Sequence, residues 1–349
     1  MKKIISFILA LNLAILIWAM PSFSSYLPDF SGDYVYYKDN TFLRESYVGI
    51  LYYDNSTLQL RYYAPIDEEQ KLPEIEVSTL ISLNPDSDHI ELTGERILTT
   101  VLPGSDNVQI VNYLHDIVYE FGARRKLVKN LNERDIVISQ EYEQFGGRVN
   151  ITYDCTIPLF NIRDIKKSNG EVLLHCITTG RLQDNSDTTF DNFKGFPEQE
   201  KIKKGKKYKK SKEVKCFFGE QSVVLDESWK QPIENYWTRD DDSILSMATM
   251  PQAFDNKEKN ELFFIRTFIK SSPNSYVNFD TLKIEKDGNR LIISSEVYQP
   301  LKDNYINNIK ILTDKYNSTS FDYFTIATFM KPYITNKKYY DNILDSYKN

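Results

Sequence analysis

Cysteine, histidine, glycine and proline are all scarce in this chain, and each scarcity closes off a class of protein. Three cysteines in 349 residues cannot make the disulfide framework of a small secreted scaffold. Three histidines, His89, His115 and His175, fall in separate segments without metal-ligand spacing, so no histidine-based metal centre and no cofactor is expected. Thirteen Gly and thirteen Pro are too few for a low-complexity or collagen-like chain. Catalytic signatures are missing as well: the sequence has no G-x-S-x-G, H-E-x-x-H, G-x-x-x-x-G-K, G-x-G-x-x-G or C-x-x-C. His115 adjoins Asp116, but neighbours on a helix point about 100° apart and are not a catalytic pair by adjacency. His175 and Cys176 should face opposite sides of one strand.

What the chain has is apolar and aromatic mass. It is 41% hydrophobic with 24 Tyr and 20 Phe, enough to bury a sizeable core. Its 349 residues exceed the length at which one core usually stops growing, so two domains are expected. The formal charge of −6 is unevenly placed: Lys201 to Lys215 holds nine Lys and one Glu, a net +8, which leaves −14 for the rest. An acidic body argues against general nucleic-acid binding. The basic run centres on Lys203, Lys204, Lys206, Lys207, Lys209 and Lys210. It is a candidate patch for an anionic membrane surface, set against the plainer expectation of a solvated, self-repelling loop.

The N-terminus carries the most specific functional signal. Lys2 and Lys3 precede an apolar run from Ile4 to Met20, Pro21 ends it, and Ser22 and Ser24 offer small residues for a cut before Ser25. This is the pattern of an export leader over residues 1–24, placing the body in the periplasm or outside the cell. The 17-residue run also reaches the lower edge of a spanning length, so an uncleaved leader would hold the body at a membrane. Three Asn-x-Ser/Thr triplets, at Asn55, Asn150 and Asn317, matter only where exported proteins are glycosylated.

Organisation is read from periodicity. From Ser105 to Gly122, Ile110, Leu114, Ile117 and Phe121 draw one helical stripe behind a good cap, predicting a helix over 106–121. Tyr305, Ile309, Leu312 and Tyr316 repeat the same steps and predict a second helix over 303–316. Strand-like runs precede each. They are Tyr47–Tyr53, Leu58–Tyr63, Glu74–Leu83 and His89–Thr100 in the first case, and Ile244–Met250, Leu262–Ile269, Val277–Lys286 and Arg290–Val297 in the second. A middle set, 135–178, has four strands and no helix, and Tyr34 and Tyr36 suggest one edge strand. Tyr323–Phe329 reads as a strand ended by Pro332, and Tyr340, Ile343, Leu344 and Tyr347 place a last helix at 337–347. The expectation is an α+β fold, predominantly antiparallel sheet with a few packed amphipathic helices, built as a tandem duplication of a four-strand-plus-helix unit. Its units span 26–183 and 214–349, joined by a polar and basic linker over 184–213. Tyr47 and Ile244 lie 197 residues apart and Gly122 and Asn317 195, consistent with that duplication.

Candidate chemistry is diffuse. Asp240, Asp241 and Asp242, or Asp184, Asp187 and Asp191, are oxygen donors of the kind calcium takes, without the glycine turn and closing glutamate of an EF-hand. Cys155 and Cys176 look like small core residues. They are too far apart for a disulfide if a strand separates theirs and within reach if the strands are neighbours. Tyr62, Tyr63, Trp229, Tyr236, Trp237, Phe263, Phe264 and Phe268 are expected mostly in the core. The functional expectation is an exported envelope protein that binds an unknown protein or an apolar ligand without catalysis. The alternative is an exported hydrolase with an acidic or metal-assisted site.

Overall fold

Alternating β-rich runs become sheet wherever turn residues let neighbours pair, and most of the predicted strands form. The computed structural model describes residues 27, 29–42, 44–54, 56–83, 92–100, 106–127, 133–142, 145–199, 205–209, 211–271, 273–314 and 320–348. The predicted leader, His89 and Asn317 lie outside them.

The first sheet is two antiparallel meanders joined by one helix. Strands β1 (Asp33–Asp39), β2 (Ser46–Asp54), β3 (Thr57–Ala64), β4 (Ile75–Leu83) and β5 (Leu92–Thr100) step outward to one edge. Helix α1 (Asp106–Leu127) then crosses one face, and β6 (Ile136–Tyr142), β7 (Gly147–Tyr153), β8 (Ile162–Lys167) and β9 (Val172–Arg181) step inward from the other edge. Pairing of β9 with β1 closes the order β5-β4-β3-β2-β1-β9-β8-β7-β6. The strand expected at an edge around Tyr34 and Tyr36 is therefore the middle of the sheet. It takes two partners because both its faces are apolar, Val35 and Tyr37 on one side, Tyr34 and Tyr36 on the other.

Helix α1 lies on β3, β4 and β5. Its stripe of Ile110, Leu114, Ile117 and Phe121 is buried with Val48, Ile50, Leu60, Val77 and Ile151. The helix continues through Gly122 to Leu127 instead of stopping there, since a buried glycine tolerates helical backbone at a cost of only about 1 kcal/mol. Cys155 and Cys176 are free thiols in this same core, with β8 between β7 and β9, the arrangement that keeps them apart.

The opposite face is covered by residues read as linker. Segment 184–199 has no periodicity, yet Thr189, Phe190 and Phe193 are buried against Tyr34, Tyr36, Tyr47 and Tyr63. Side-chain caps shape it: Asp184 accepts from Ser186 N (2.8 Å) and Asp187 from Thr189 N (2.9 Å). Arg61, fully buried, donates to the Phe193 carbonyl (2.5 Å), the Tyr36 hydroxyl (2.9 Å) and Glu76 (2.9 Å). The Tyr36 ring lies over its register partner Gly49, where a Cβ would come within 2.4 Å of it. Tyr36 therefore needs that glycine.

The second unit begins with the hairpin β10 (Glu213–Phe218) and β11 (Gln221–Asp226). Its main sheet runs β12 (Lys230–Ile233), β13 (Tyr236–Thr238), β14 (Ile244–Pro251), β19 (Ser320–Phe329), β18 (Asn304–Asp314), β17 (Arg290–Gln299) and β16 (Tyr276–Asp287). Two expectations are overturned in it. Leu262–Ile269 belongs to helix α2 (Lys257–Phe268), not to a strand. Asn256 caps it by accepting from Lys259 N (2.9 Å), and Asn260, Phe264 and Phe268, four apart, form its buried side. A continuous apolar run does not distinguish strand from helix, and the cap decides it.

Conversely, 303–316 is not a helix, for β18 pairs with β17 from Asn304 to Thr313 and with β19 from Ile306 to Asp314. Ile309 and Ile311 face one core and Leu312 another, so this strand is covered on both sides. Asp303, where that helix was expected to begin, is a left-handed turn residue instead. The paired helices that suggested a copied unit are therefore not a pair. The predominantly antiparallel α+β fold in two units stands. After β19, Met330–Thr335 forms α3 with Pro332 inside it, and α4 (Lys337–Ser346) docks Tyr340 and Ile343 into the core, as its periodicity predicts.

The units are joined by buried charge. Strand β15 (Lys270–Ser271), directly after α2, pairs in parallel with Thr179 and Gly180 of β9. There Asp33, fully buried, accepts from Arg181 Nε (2.6 Å) and Lys270 Nζ (2.9 Å), with Arg266 at 3.7 Å. Arg266 also binds Asp29 and the Leu27 carbonyl (3.0 Å). Burial raises the Asp33 carboxyl, but the three cations outweigh it and hold it well below the usual carboxylate range.

Asp33→Asn, which strands those cations, is expected to cost about 3–5 kcal/mol in urea unfolding. Phe193→Ala is expected to cost about 3–5 kcal/mol by the same measurement; a change under 1 kcal/mol, the value for a solvated linker, would contradict the packing described.

Candidate functional site

Register places the charged residues of the candidate site. Lys38 of β1 is the partner of His175 on β9, and His175 is the partner of Asp164 on β8. The three side chains therefore share one transverse row on the sheet face opposite α1. The second unit reaches this row through an irregularity in β16. Between Asn278 and Lys283 the strand carries more residues than its partner β17, whose matching positions are Glu296 and Ser294. The surplus is folded by local bonds: Asp280 N donates to Asn278 Oδ1 (3.0 Å) and Thr281 Oγ1 to the Asn278 carbonyl (2.8 Å). A bulge of this kind re-aims side chains. It turns Phe279, Asp280 and Leu282 toward the first sheet, enclosing a cleft of about 560 Å³ between the units.

At the centre of the cleft His175 bridges the units. Its Nδ1 lies 2.5 Å from Asp164 Oδ1 and its Nε2 2.8 Å from Asp280 Oδ1. Burial alone would lower its pKa, but the two carboxylates more than reverse that and raise it to about 9. Both acids are pushed down: Asp164 against its burial by His175 and Arg163, and Asp280 chiefly by its hydrogen bond with His175. Around this clasp, Arg134 is paired with Asp154 (2.9 Å) and Arg163 with Asp164 (2.9 Å) and Asp135. The two lysines are held loosely, Lys38 at 3.4 Å from Glu45 and Lys166 at 3.9 Å from Asp164. Ile157, Val172, Ile269, Phe279 and Leu282 supply apolar wall.

At neutral pH this arrangement offers no general base at His175. A histidine charged at neutral pH, with both nitrogens donating, has no lone pair to accept a proton. Burial pushes the Cys176 thiol well above its ordinary value and the Cys155 thiol up to about 12, so neither is a thiolate nucleophile. Among the described residues no group of three or more His, Cys, Asp or Glu is placed to hold a metal ion.

The aspartates picked from the sequence lie elsewhere; Asp242 is a left-handed turn residue and the other five are already engaged. Asp240 pairs with Lys230 (2.7 Å), while Asp241 accepts from the Tyr208 hydroxyl and from Ser243 N (3.1 Å). Asp191 accepts from Gln59 (3.0 Å), and Asp184 and Asp187 cap their own turns. His115 is buried in α1, 3.2 Å from Thr79 Oγ1. Lys206, Lys207 and Lys209 are exposed; Lys203, Lys204 and Lys210 fall outside the described residues. Of the aromatic set, Phe263 is half-buried and the rest are core. Sequence reasoning weighed His175 alone and missed Asp164, Asp280, Lys38 and Lys166. The available signal was Asn278 and Asp280, turn formers inside an otherwise strand-like run.

Two different domain models match the chain. Residues 32–191 match a domain of unknown function, DUF7954, and residues 213–348 match another, DUF7955. No curated protein matches it. Among solved structures, the S. cerevisiae core factor aligns over 88% of this chain and 48% of that one, at 9% identity and a TM-score of 0.12. At that score the likeness carries no argument about fold. Lys38, Asp164 and His175 lie within the DUF7954 match and Phe279 and Asp280 within the DUF7955 match. The cleft is thus lined from both matched domains.

The clasp has a pH signature. Because the folded pKa of His175, about 9, exceeds its ordinary 6.5, its contribution is complete below pH 6.5 and is lost as pH rises through 9. The Asp164 and Asp280 contributions run the other way and are lost in acid, below their ordinary 3.8. By NMR the His175 imidazole is expected to titrate near 9, and Asp280→Asn to bring the midpoint down by about one unit or more. A wild-type midpoint near 6.5, the ordinary value, would contradict the clasp.

Proposed function

We propose that this chain is an exported envelope protein that binds an amphipathic anion in the cleft between its two domains. The cleft carries the reading. Its lining combines an apolar wall with more cationic than anionic groups, and Lys38 and Lys166 are its loosely held charges. A carboxylate or phosphate oxygen between those lysines gains charge-assisted hydrogen bonds, and an apolar body against Ile269, Phe279 and Leu282 leaves water. Both domains contribute, which is where small-molecule sites commonly form. Export rests on the leader pattern of Lys2, Lys3 and the run Ile4 to Met20.

Decanoate serves as a probe of this class, with decanol and acetate as the neutral and short controls. Calorimetry is expected to show decanoate binding at least about tenfold tighter than either control, a difference of about 1.4 kcal/mol. The double substitution Lys38→Ala, Lys166→Ala is expected to remove that preference while leaving the melting temperature in place. Equal affinity for decanoate and decanol, or a double variant that binds like the parent, would sink the proposal.

A further inference from the structure

The lysine run does not behave as a loose linker where it is described. From Gly205 to Lys209 its backbone is tied to α3 and α4. Gly205 N donates to Thr335 Oγ1 (2.6 Å), Asn336 Nδ2 to the Lys206 carbonyl (3.1 Å) and Tyr208 N to Asn336 Oδ1 (2.8 Å). Tyr208 is the anchor. Its hydroxyl sits 2.7 Å from that of Tyr340 and donates to Asp241, and the Arg239 guanidinium stacks 3.3 Å above its ring centre. With the backbone fixed at three points and the tyrosine turned inward, Lys206, Lys207 and Lys209 are presented to solvent together.

The neighbouring helices extend this face with more lysine. Lys331 packs beside Gly205, its Cγ 3.3 Å from where a Cβ on that glycine would stand, and both Lys331 and Lys338 are exposed. Ile334, three residues after Lys331 in α3, is an apolar side chain 42% exposed. Like charges held this closely repel, and the chain concentrates them here although the rest of it is strongly acidic. An anionic counter-surface relieves that repulsion.

We infer that this face docks on an anionic lipid bilayer. Three features favour a bilayer over a nucleic acid or another polyanion. The cations named are lysines, flexible point charges that reach a headgroup layer, and not the planar forks that read phosphates in a fixed geometry. Ile334 offers an apolar contact at the depth where lysine stems lie along the interface. The tyrosine in the run faces inward and is not displayed for stacking on bases. The inference is independent of the cleft, since it uses none of its residues.

The test is flotation of the protein, as purified from the exporting cell, with phosphatidylcholine vesicles prepared with and without phosphatidylglycerol. The readout is the ratio of anionic to neutral binding compared between parent and variant, since Lys2 and Lys3 of a retained leader would raise it equally in both. Each lysine at an anionic surface is worth about fivefold, so Lys206→Ser, Lys207→Ser, Lys209→Ser together are expected to lower the ratio by about a hundredfold. High salt should do the same to the parent protein. Ile334→Ser should weaken binding several-fold with the salt dependence kept. The lysine side chains are exposed, so the triple variant should melt like the parent. An anionic-to-neutral ratio near one for the parent, an unchanged ratio in the triple variant, or capture by heparin without capture by anionic vesicles would each overturn the inference.

Discussion

The Asp33 carboxylate sets how the two domains meet. It is the first residue of β1 and the register partner of Arg181 at the end of β9, so one sheet delivers both an acid and a base to the same corner. The second domain answers with Arg266 in the last turn of α2 and Lys270 at the start of β15. Desolvation pushes the Lys270 ammonium down against the pull of Asp33. A buried carboxylate among three cations gains little net stability over an apolar contact of the same shape, because each ion has lost its water. Removing one partner is what costs. The cluster is satisfied where β15 lies parallel to β9, and any docking that separates its members leaves a buried charge unpaired.

The rest of the interface follows from that alignment. With Lys270 and Ser271 laid beside Thr179 and Gly180, the chain has only a short loop before Tyr276 opens β16. Tyr276 must then enter the aromatic layer of Tyr34, Tyr36 and Phe193 on the face opposite α1. Its hydroxyl donates to the Thr189 carbonyl at 2.6 Å, so the segment that plates the first sheet also receives the second domain. From there β16 runs along β9, and its bulge falls beside His175. The cleft is thus a consequence of one register, anchored several residues away.

How much of this was legible depends on the range of the interaction involved. The stripe on α1 and the successive runs Val277–Lys286 and Arg290–Val297 were readable because both patterns are local: periodicity and strand propensity act within a few residues. The run Leu262–Ile269 failed because its apolar residues suit either element, while the deciding Asn256 cap stands outside it. Tyr305, Ile309 and Leu312 failed for the opposite reason. Their spacing fits a helix, yet neighbours on both sides of β18 satisfy its backbone and cover both faces, and tertiary pairing overrides spacing. Phe190 and Phe193 were hidden in a polar, aperiodic stretch because burial there comes from a sheet far away in sequence. The site was the least legible of all. Asp164, His175 and Asp280 have no common motif, and only the strand order together with the β16 bulge brings them together.

The two charged centres that join the domains differ in their access to water, and the proposed binding site rests on that difference. At Asp33 the carboxylate is fully buried and the Arg266 side chain nearly so, which leaves no room for a competing ligand. At His175 the imidazole keeps 30% of its side-chain surface and Asp280 63%, and Lys38 and Lys166 stand over 40% or so of theirs in solvent. Water already competes for Lys38 and Lys166, so an anion seated there, as proposed, displaces solvent and leaves the His175 clasp in place. The closed corner fixes the docking, and the hydrated clasp leaves the cleft accessible. The proposed site needs both properties at once, because a site made from two bodies holds its geometry only while something outside the site keeps them aligned.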